Sequence, residues 1–239
     1  MAVNNTNPKI GKIMDVPDTP TIGTATNVGT SRGYNDGAAS VTVTQAATGG
    51  TPTLYTVTST PGSLTGTGIG SPITVGGLTS GTSYTFTATA QGGTPTFTTA
   101  ATSASNSITA TTVPQAPTLG TVTATNTTTV SIPFTAGATG GSSITGYTIT
   151  SSPSIALTYT VTTSPVTVTG TFAQNQAYTF TMTATNANGT SAGATSNSVT
   201  PNAIYSLAQT FNASGTFTVP QGVSFVAIAA TAGGGGGWS

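Results

Sequence analysis

The sequence predicts an all-β protein: two tandem β-sandwiches followed by a short β and glycine-rich segment. Three observations lead there. Apolar residues alternate with threonine along Tyr178-Thr179-Phe180-Thr181-Met182-Thr183-Ala184, the period of two that marks a strand with one buried face. The same pattern stands earlier, in Tyr84-Thr85-Phe86-Thr87-Ala88. Between such runs, clusters of Gly, Pro, Asn and Ser recur as turn signals, and short strands so punctuated indicate a sandwich.

The internal repeat sets the domain boundaries. Val16-Pro17-Asp18-Thr19-Pro20 is answered by Val113-Pro114-Gln115-Ala116-Pro117. Gly49-Gly50 followed by Tyr55-Thr56-Val57 is answered by Gly140-Gly141 followed by Tyr147-Thr148-Ile149. Ser105-Asn106-Ser107-Ile108-Thr109 is answered by Ser196-Asn197-Ser198-Val199-Thr200. The offsets run from 91 residues (Gly49 to Gly140) to 97 (Val16 to Val113). The predicted organisation is an N-terminal arm over 1–15, a first sandwich over 16–111, a second over 112–201, and over 202–239 a β-hairpin leading into a glycine-rich segment.

The turn before each alternating strand carries a geometric expectation. The first unit reads Leu78-Thr79-Ser80-Gly81-Thr82-Ser83-Tyr84 and the second Phe172-Ala173-Gln174-Asn175-Gln176-Ala177-Tyr178. The apolar residue and the tyrosine keep their separation, and the position between them is Gly in one and Asn in the other. Those residues best tolerate a positive φ, so Gly81 and Asn175 are expected to be left-handed. Tyr84 and Tyr178 would each bond back to the corner backbone through the hydroxyl.

Composition bounds the chemistry. Of 239 residues, 3% are charged, and the chain has no His and no Cys. The charges are Lys9, Lys12, Asp15, Asp18, Arg32 and Asp36, so Gly37 to Ser239 carries none. An average soluble domain has roughly 25% charged residues. With no basic patch, nucleic-acid binding is not expected. With no His or Glu, and with Asp only near the start, neither acid–base catalysis nor an activated Ser or Thr nucleophile can be assembled; no enzyme activity and no cofactor are expected. Asp15, Asp18 and Asp36 are the candidate oxygen ligands for calcium, at an interdomain entry; the favoured reading makes them solvated turn residues, and Asp36-Gly37 in particular reads as a turn. No thiolate metal site or disulfide is possible. The glycine run Gly233 to Gly237 lacks the Lys and Ser/Thr of a phosphate loop.

The first twenty residues contain no continuous apolar stretch, which predicts that no signal peptide is present. No run approaches the length of a membrane span, and membrane insertion is not expected. The concentration of charge near the start marks Lys9, Lys12, Asp15 and Asp18 as candidate docking residues.

These residues resemble the fibronectin type III domain, an immunoglobulin-like sandwich. Gly140-Gly141-Ser142-Ser143-Ile144-Thr145-Gly146-Tyr147 is similar to the family's B–C loop and strand C. Tyr178, Phe180, Ala184, Asn186, Gly189 and Ser191 stand where its strand F and F–G loop pattern places them. The resemblance covers both units, about four fifths of the chain. It departs on strand B, where the family's Trp is replaced by Val43 and Phe134, so a smaller core is expected there. Pro133, beside Phe134, lacks a donor for the ladder and is expected to be bulged or unpaired.

After Pro201 the pattern changes. Ser214-Gly215-Thr216-Phe217-Thr218-Val219-Pro220-Gln221-Gly222-Val223, an apolar strand from Phe225 to Ala230 and the glycine run resemble the opening of glycine-rich modules in bacteriophage tail fibres. The resemblance implies a bacteriophage virion protein assembled in the host cytoplasm: a tail fibre, head fibre or decoration protein. It implies docking on other virion proteins through the N-terminal arm and a homo-oligomer, a trimer at the C-terminal module. It also implies weak adhesion to host-surface glycans, with Asn186, Asn188 and Thr190 as the candidate contact loop. The alternative is a secreted or cell-surface bacterial adhesin built from the same repeats, with an extracellular location.

Overall fold

The computed structural model describes residues 16–93 and 95–202. The arm residues Lys9, Lys12 and Asp15, and the glycine-rich segment after Asn202, lie outside them.

The first sandwich is built from β1 (Thr21–Val28), β2 (Gly37–Thr44), β3 (Leu54–Thr60), β4 (Thr65–Gly68), β5 (Ile73–Leu78), β6 (Ser83–Gly92), β7 (Phe97–Thr98) and β8 (Ile108–Thr109). One sheet has the order β1-β2-β5; the other runs β4-β3-β6-β7, with β8 also on β6. All pairings are antiparallel. The register follows from the alternation. Tyr55, Val57 and Ser59 oppose Ala90, Ala88 and Phe86 on the inner face, while Thr56, Thr58 and Thr60 oppose Thr89, Thr87 and Thr85 on the outer. Inner residues pack into a core with Val41, Val75 and Leu78. Cross-strand threonine pairs suit the outer face because branched side chains fit a pleated surface.

The second sandwich contains β9 (Thr118–Leu119), β10 (Thr123–Ala124), β11 (Thr129–Ile132), β12 (Phe134–Thr135), β13 (Gly146–Ser152), β14 (Leu157–Tyr159), β15 (Val166–Gly170), β16 (Thr179–Asn186), β17 (Gly189–Thr190) and β18 (Ala194–Thr195). Its sheets are β10-β11-β15-β14 and β13-β16-β17 with β18 also on β16, plus the pair β12-β9. Its core is separate from the first and centres on Val130, Ile132, Val166, Val168, Phe172, Phe180 and Met182. The facing antiparallel sheets and the tyrosine corners make each unit an immunoglobulin-like β-sandwich.

Both corners have the geometry their spacing demands. The Thr79 backbone N–H donates to the Tyr84 hydroxyl at 3.0 Å, and the Ala173 N–H to the Tyr178 hydroxyl at 3.1 Å. Gly81 has φ +78° and Asn175 φ +58°. Leu78 and Phe172 are buried beneath their corners, and Phe172 meets Tyr178 edge-on at 5.2 Å.

Pro133 divides the strand it interrupts. β11 pairs with β15 as far as Ile132, and Phe134 crosses to pair with Leu119 of β9. Val43 and Phe134 occupy corresponding places, and each backbone N–H donates to a serine hydroxyl just before a proline: Ser71 at 2.9 Å and Ser164 at 2.8 Å. Val43 is buried. Phe134 is half-buried and meets Tyr147 edge-on at 5.1 Å.

The repeat breaks at one strand. β4 stays with β3, whereas its counterpart β14 pairs with β15 in the opposite sheet. In the first domain a tight turn at Gly62 and Ser63, both with positive φ, sends the chain straight back along β3. The Ser59 hydroxyl fixes that turn by accepting from Leu64 N and donating to Pro61 O. In the second domain the chain instead packs the partly buried Ile155 and Leu157 against the core. There the Tyr159 hydroxyl accepts from Ile149 N at 2.8 Å, supplying the exposed edge of β13 with a partner.

The final strand of each domain is not a regular ladder. Thr99, Thr102 and Ser105 donate their backbone N–H to Ala90, Ala88 and Phe86 carbonyls. Their hydroxyls accept from the N–H groups of those same residues, at 3.0, 3.0 and 3.1 Å. Three residues on this strand therefore span two on β6. Ser191 and Ser196 do the same for Ala184 and Phe180. Hydroxyls replace the carbonyl acceptors that an extended strand would have offered, which satisfies the buried ladder and leaves an irregular outer edge that is a poor template for further strands.

Candidate functional site at the interdomain joint

A polar network joining residues distant in sequence lies where the two domains meet. Its centre is the segment Ala110 to Val113. Ala110 and Thr112 are fully buried and Val113 nearly so, while Thr111 between them is half-buried.

Every polar group of Thr112 has a partner. Its N–H donates to Gly140 O at 2.8 Å. Its carbonyl accepts from the Asn186 amide at 2.8 Å and from the Asn188 amide at 3.1 Å. Its hydroxyl pairs with Ser80 Oγ at 2.6 Å and donates to Val113 O. Thr111 exchanges two bonds with Asn27, whose amide donates to Thr111 Oγ1 at 2.7 Å and whose Oδ1 accepts from Thr111 N at 3.1 Å. Thr111 Oγ1 in turn donates to Asn188 Oδ1 at 3.3 Å. Val113 N donates to Arg32 O at 3.1 Å, and Ser31 N donates directly across the joint to Asn188 O at 2.8 Å.

Asn186 organises the second domain's side. Its Nδ2 also donates to Thr139 O at 2.8 Å and Ser142 O at 3.3 Å, and its Oδ1 accepts from Asn188 N at 2.8 Å. Its amide carries two donors and an acceptor in one plane, and one N–H is shared with the more distant Ser142 carbonyl. It stands at the end of β16, on the buried face that the period of two assigns to even-numbered residues there. Each net hydrogen bond of this kind contributes about 1 kcal/mol.

Glycine permits the close approach. A Cβ on Gly29 would stand 2.5 Å from Thr111 O and 2.7 Å from Asn188 Oδ1. On Gly141 it would stand 2.8 Å from Gly81 N and 2.9 Å from Ala110 O. Neither spacing is tenable between non-bonded heavy atoms, so the backbones can meet only where side chains are absent.

This geometry redraws the expected glycan-contact loop. Asn186 is 4% exposed and spends its amide inside the joint. Asn188 is half-buried and does likewise. Thr190 faces solvent, its hydroxyl beside that of Thr185 at 3.0 Å. The asparagines are structural because β16 ends beneath the segment it must hold, so their side chains meet bare carbonyls before they reach solvent. Of the candidate docking residues, Asp18 is described: its exposed carboxylate accepts from Thr48 Oγ1 at 2.6 Å. Arg32 and Asp36 form an ion pair at 3.1 Å. Among the described residues no group of three or more His, Cys, Asp or Glu side chains is placed to hold a metal. No helix among them is long and apolar enough to cross a membrane.

Sequence reasoning placed Gly81 in a turn and Gly140 and Gly141 in a loop but did not foresee that the two domains meet at them. It also missed Ser80, Thr112 and the hydroxyl ladder. A signal existed for the ladder in the spacing Thr99-x-x-Thr102-x-x-Ser105, a period of three beside a strand with a period of two.

No family model matches the chain, and no curated protein matches it. Among solved structures it is similar to the crystal structure of chicken CNTN1 FN1-FN3 domains, with 16% sequence identity and a TM-score of 0.39 over 79% of this chain and 67% of that one.

Proposed function

We propose that the chain is a non-enzymatic structural protein of a bacteriophage virion, a fibre or decoration component that holds two sandwich domains out from the particle. The observation that carries this reading is the phrase Ser214 to Val223 with its following apolar strand and glycine run, placed after two fibronectin type III-like repeats. Near-absence of charge supports it: a neutral surface offers little repulsion between copies crowded on a particle. The buried joint supports it too, since a spacer works only if its units hold a direction.

In this reading the N-terminal residues, Lys9, Lys12 and Asp15 among them, dock on other virion proteins. The C-terminal segment gathers copies into a homo-oligomer, a trimer. Weak adhesion to host glycans falls to exposed loop hydroxyls such as Thr190, because Asn186 and Asn188 are committed to the joint.

Gold-labelled antibody against the second domain, applied to phage particles purified from the source culture, tests the assignment by electron microscopy. Label on fibres or on the head surface is expected. Label confined to bacterial envelopes would replace this reading with the adhesin, and particles without any label would remove it.

A further inference from the structure

We infer that the two domains and the segment between them form one rigid body, locked in a single orientation by a joint that the free ends of the domains cannot reproduce. Domains that share a small polar contact ordinarily move against one another. Here no slack segment exists to permit it. Thr112 is held from the first domain through its hydroxyl by Ser80, and from the second through its N–H by Gly140 and its carbonyl by Asn186 and Asn188. Val113 N is held by Arg32 O, and Asn188 O by Ser31 N. A pivot must break these bonds together, because each shares a residue with the next, and linked polar networks in a water-poor site act as a unit.

Steric fit closes the remaining freedom. Gly29 lies against Thr111 and Asn188, and Gly141 against Gly81 and Ala110, at spacings that admit no side chain. Rotation of either domain would drive backbone into backbone or open a void in the seam.

The repeat shows that the lock is specific. Asn106 grips Ala25 in the first domain as Asn197 grips Val122 in the second, each bonding both the backbone N–H and the carbonyl. By that correspondence Asn126 stands where Gly29 does, so the second domain's far end carries a side chain where the joint tolerates only hydrogen. By the corner tyrosines, Gly92 stands where Asn186 does, so the first domain's near end lacks the amide that grips the intervening segment. The joint therefore forms once, between these two domains, and does not propagate as a head-to-tail chain of copies.

The chain has no cysteine, so spin labels can be placed at will. Thr65→Cys and Thr158→Cys put labels on exposed positions of the two domains, and pulsed electron–electron resonance on the full chain reads their separation. With labelled chain diluted in an excess of unlabelled chain, so that only labels within one copy are read, a single narrow distance peak is expected, together with one thermal unfolding transition. Gly29→Ala, which alters a loop outside both cores, should abolish the narrow peak and split the transition in two; Asn188→Ala should broaden the peak in the same way. Far-ultraviolet circular dichroism and the dispersion of core methyl signals check that both sandwiches remain folded in the variants. A broad distribution in the unmodified chain would overturn the rigid body. So would a narrow peak unchanged in both variants. Concentration-dependent end-to-end oligomers abolished by Gly29→Ala would overturn the claim that the joint forms only once.

Discussion

The backbone N–H of Ser31 donates to the carbonyl oxygen of Asn188 at 2.8 Å, tying a loop of the first domain to the hairpin tip of the second. The bond is possible because Gly29, two residues earlier, lets the loop descend onto Thr111 and Asn188 without a side chain. The hairpin tip is in turn held by Asn186, whose Oδ1 accepts from Asn188 N at 2.8 Å. The loop expected to reach outward is drawn into the seam.

Asn186 should therefore be the most sensitive polar residue of the second domain. Its replacement by Ala leaves the buried carbonyl of Thr112 and the part-buried carbonyls of Thr139 and Ser142 short of a donor, and a loss of about 2–3 kcal/mol is expected in urea denaturation. Asn186→Asp should cost more, since a carboxylate cannot donate to those carbonyls and would bury a charge. An Asp variant as stable as the native chain would show that the amide donors are unimportant.

The two tyrosine corners should act independently. Tyr84→Phe and Tyr178→Phe each remove the acceptor for a corner N–H, at a cost of about 1–2 kcal/mol. The hydroxyls belong to separate cores, so the double variant should lose the sum to within about 0.5 kcal/mol. Marked non-additivity in a double-mutant cycle would mean that the corners communicate through the joint.

At the left-handed corner positions the side chain itself is a burden. Asn175→Ala should destabilise by about 1 kcal/mol, because alanine lacks the local hydrogen bonding that lets asparagine adopt this conformation. Asn175→Gly should be neutral to within about 0.5 kcal/mol, as relief at φ +58° is offset by a more flexible unfolded chain. Gly81→Ala should destabilise as Asn175→Ala does. Thermal denaturation of the three variants reads the order.

Hydroxyls in the final strands should be worth more than their exposure suggests. Thr102→Val and Ser196→Ala each strand a backbone N–H, of Ala88 and Phe180, and should cost about 1–2 kcal/mol. Ser103→Ala, at an exposed neighbour, should change stability by less than about 0.5 kcal/mol. Amide hydrogen exchange should quicken at Ala88 and Phe180 in the respective variants. Unchanged exchange would mean that the hydroxyls do not complete the ladder.

Much of the fold was legible in sequence because its rules are local. A period of two assigns Phe180, Met182 and Ala184 to the core, and Gly or Asn midway between an apolar residue and a tyrosine marks a left-handed corner. Pro133 could be read as a break because a missing N–H is a property of the residue alone. The switch of β14 to the opposite sheet was not legible. It turns on whether the chain after β3 or β13 returns at once, as at Gly62, or first packs Ile155 inward, and that is a competition between a turn and a distant core.

By itself the sequence determined the sandwich class, the two-unit repeat, the corners and the poverty of ionisable groups. Tertiary structure alone decided the fate of Asn186, Asn188, Gly29 and Gly141. Asparagine beside a hairpin tip has the same local signature whether it meets solvent or a neighbouring domain, and glycine in a loop the same whether it supplies a turn or a seam. Only the approach of backbone separated by dozens of residues distinguishes these outcomes, because burial and hydrogen-bond partnership are properties of the assembled surface and not of the residue.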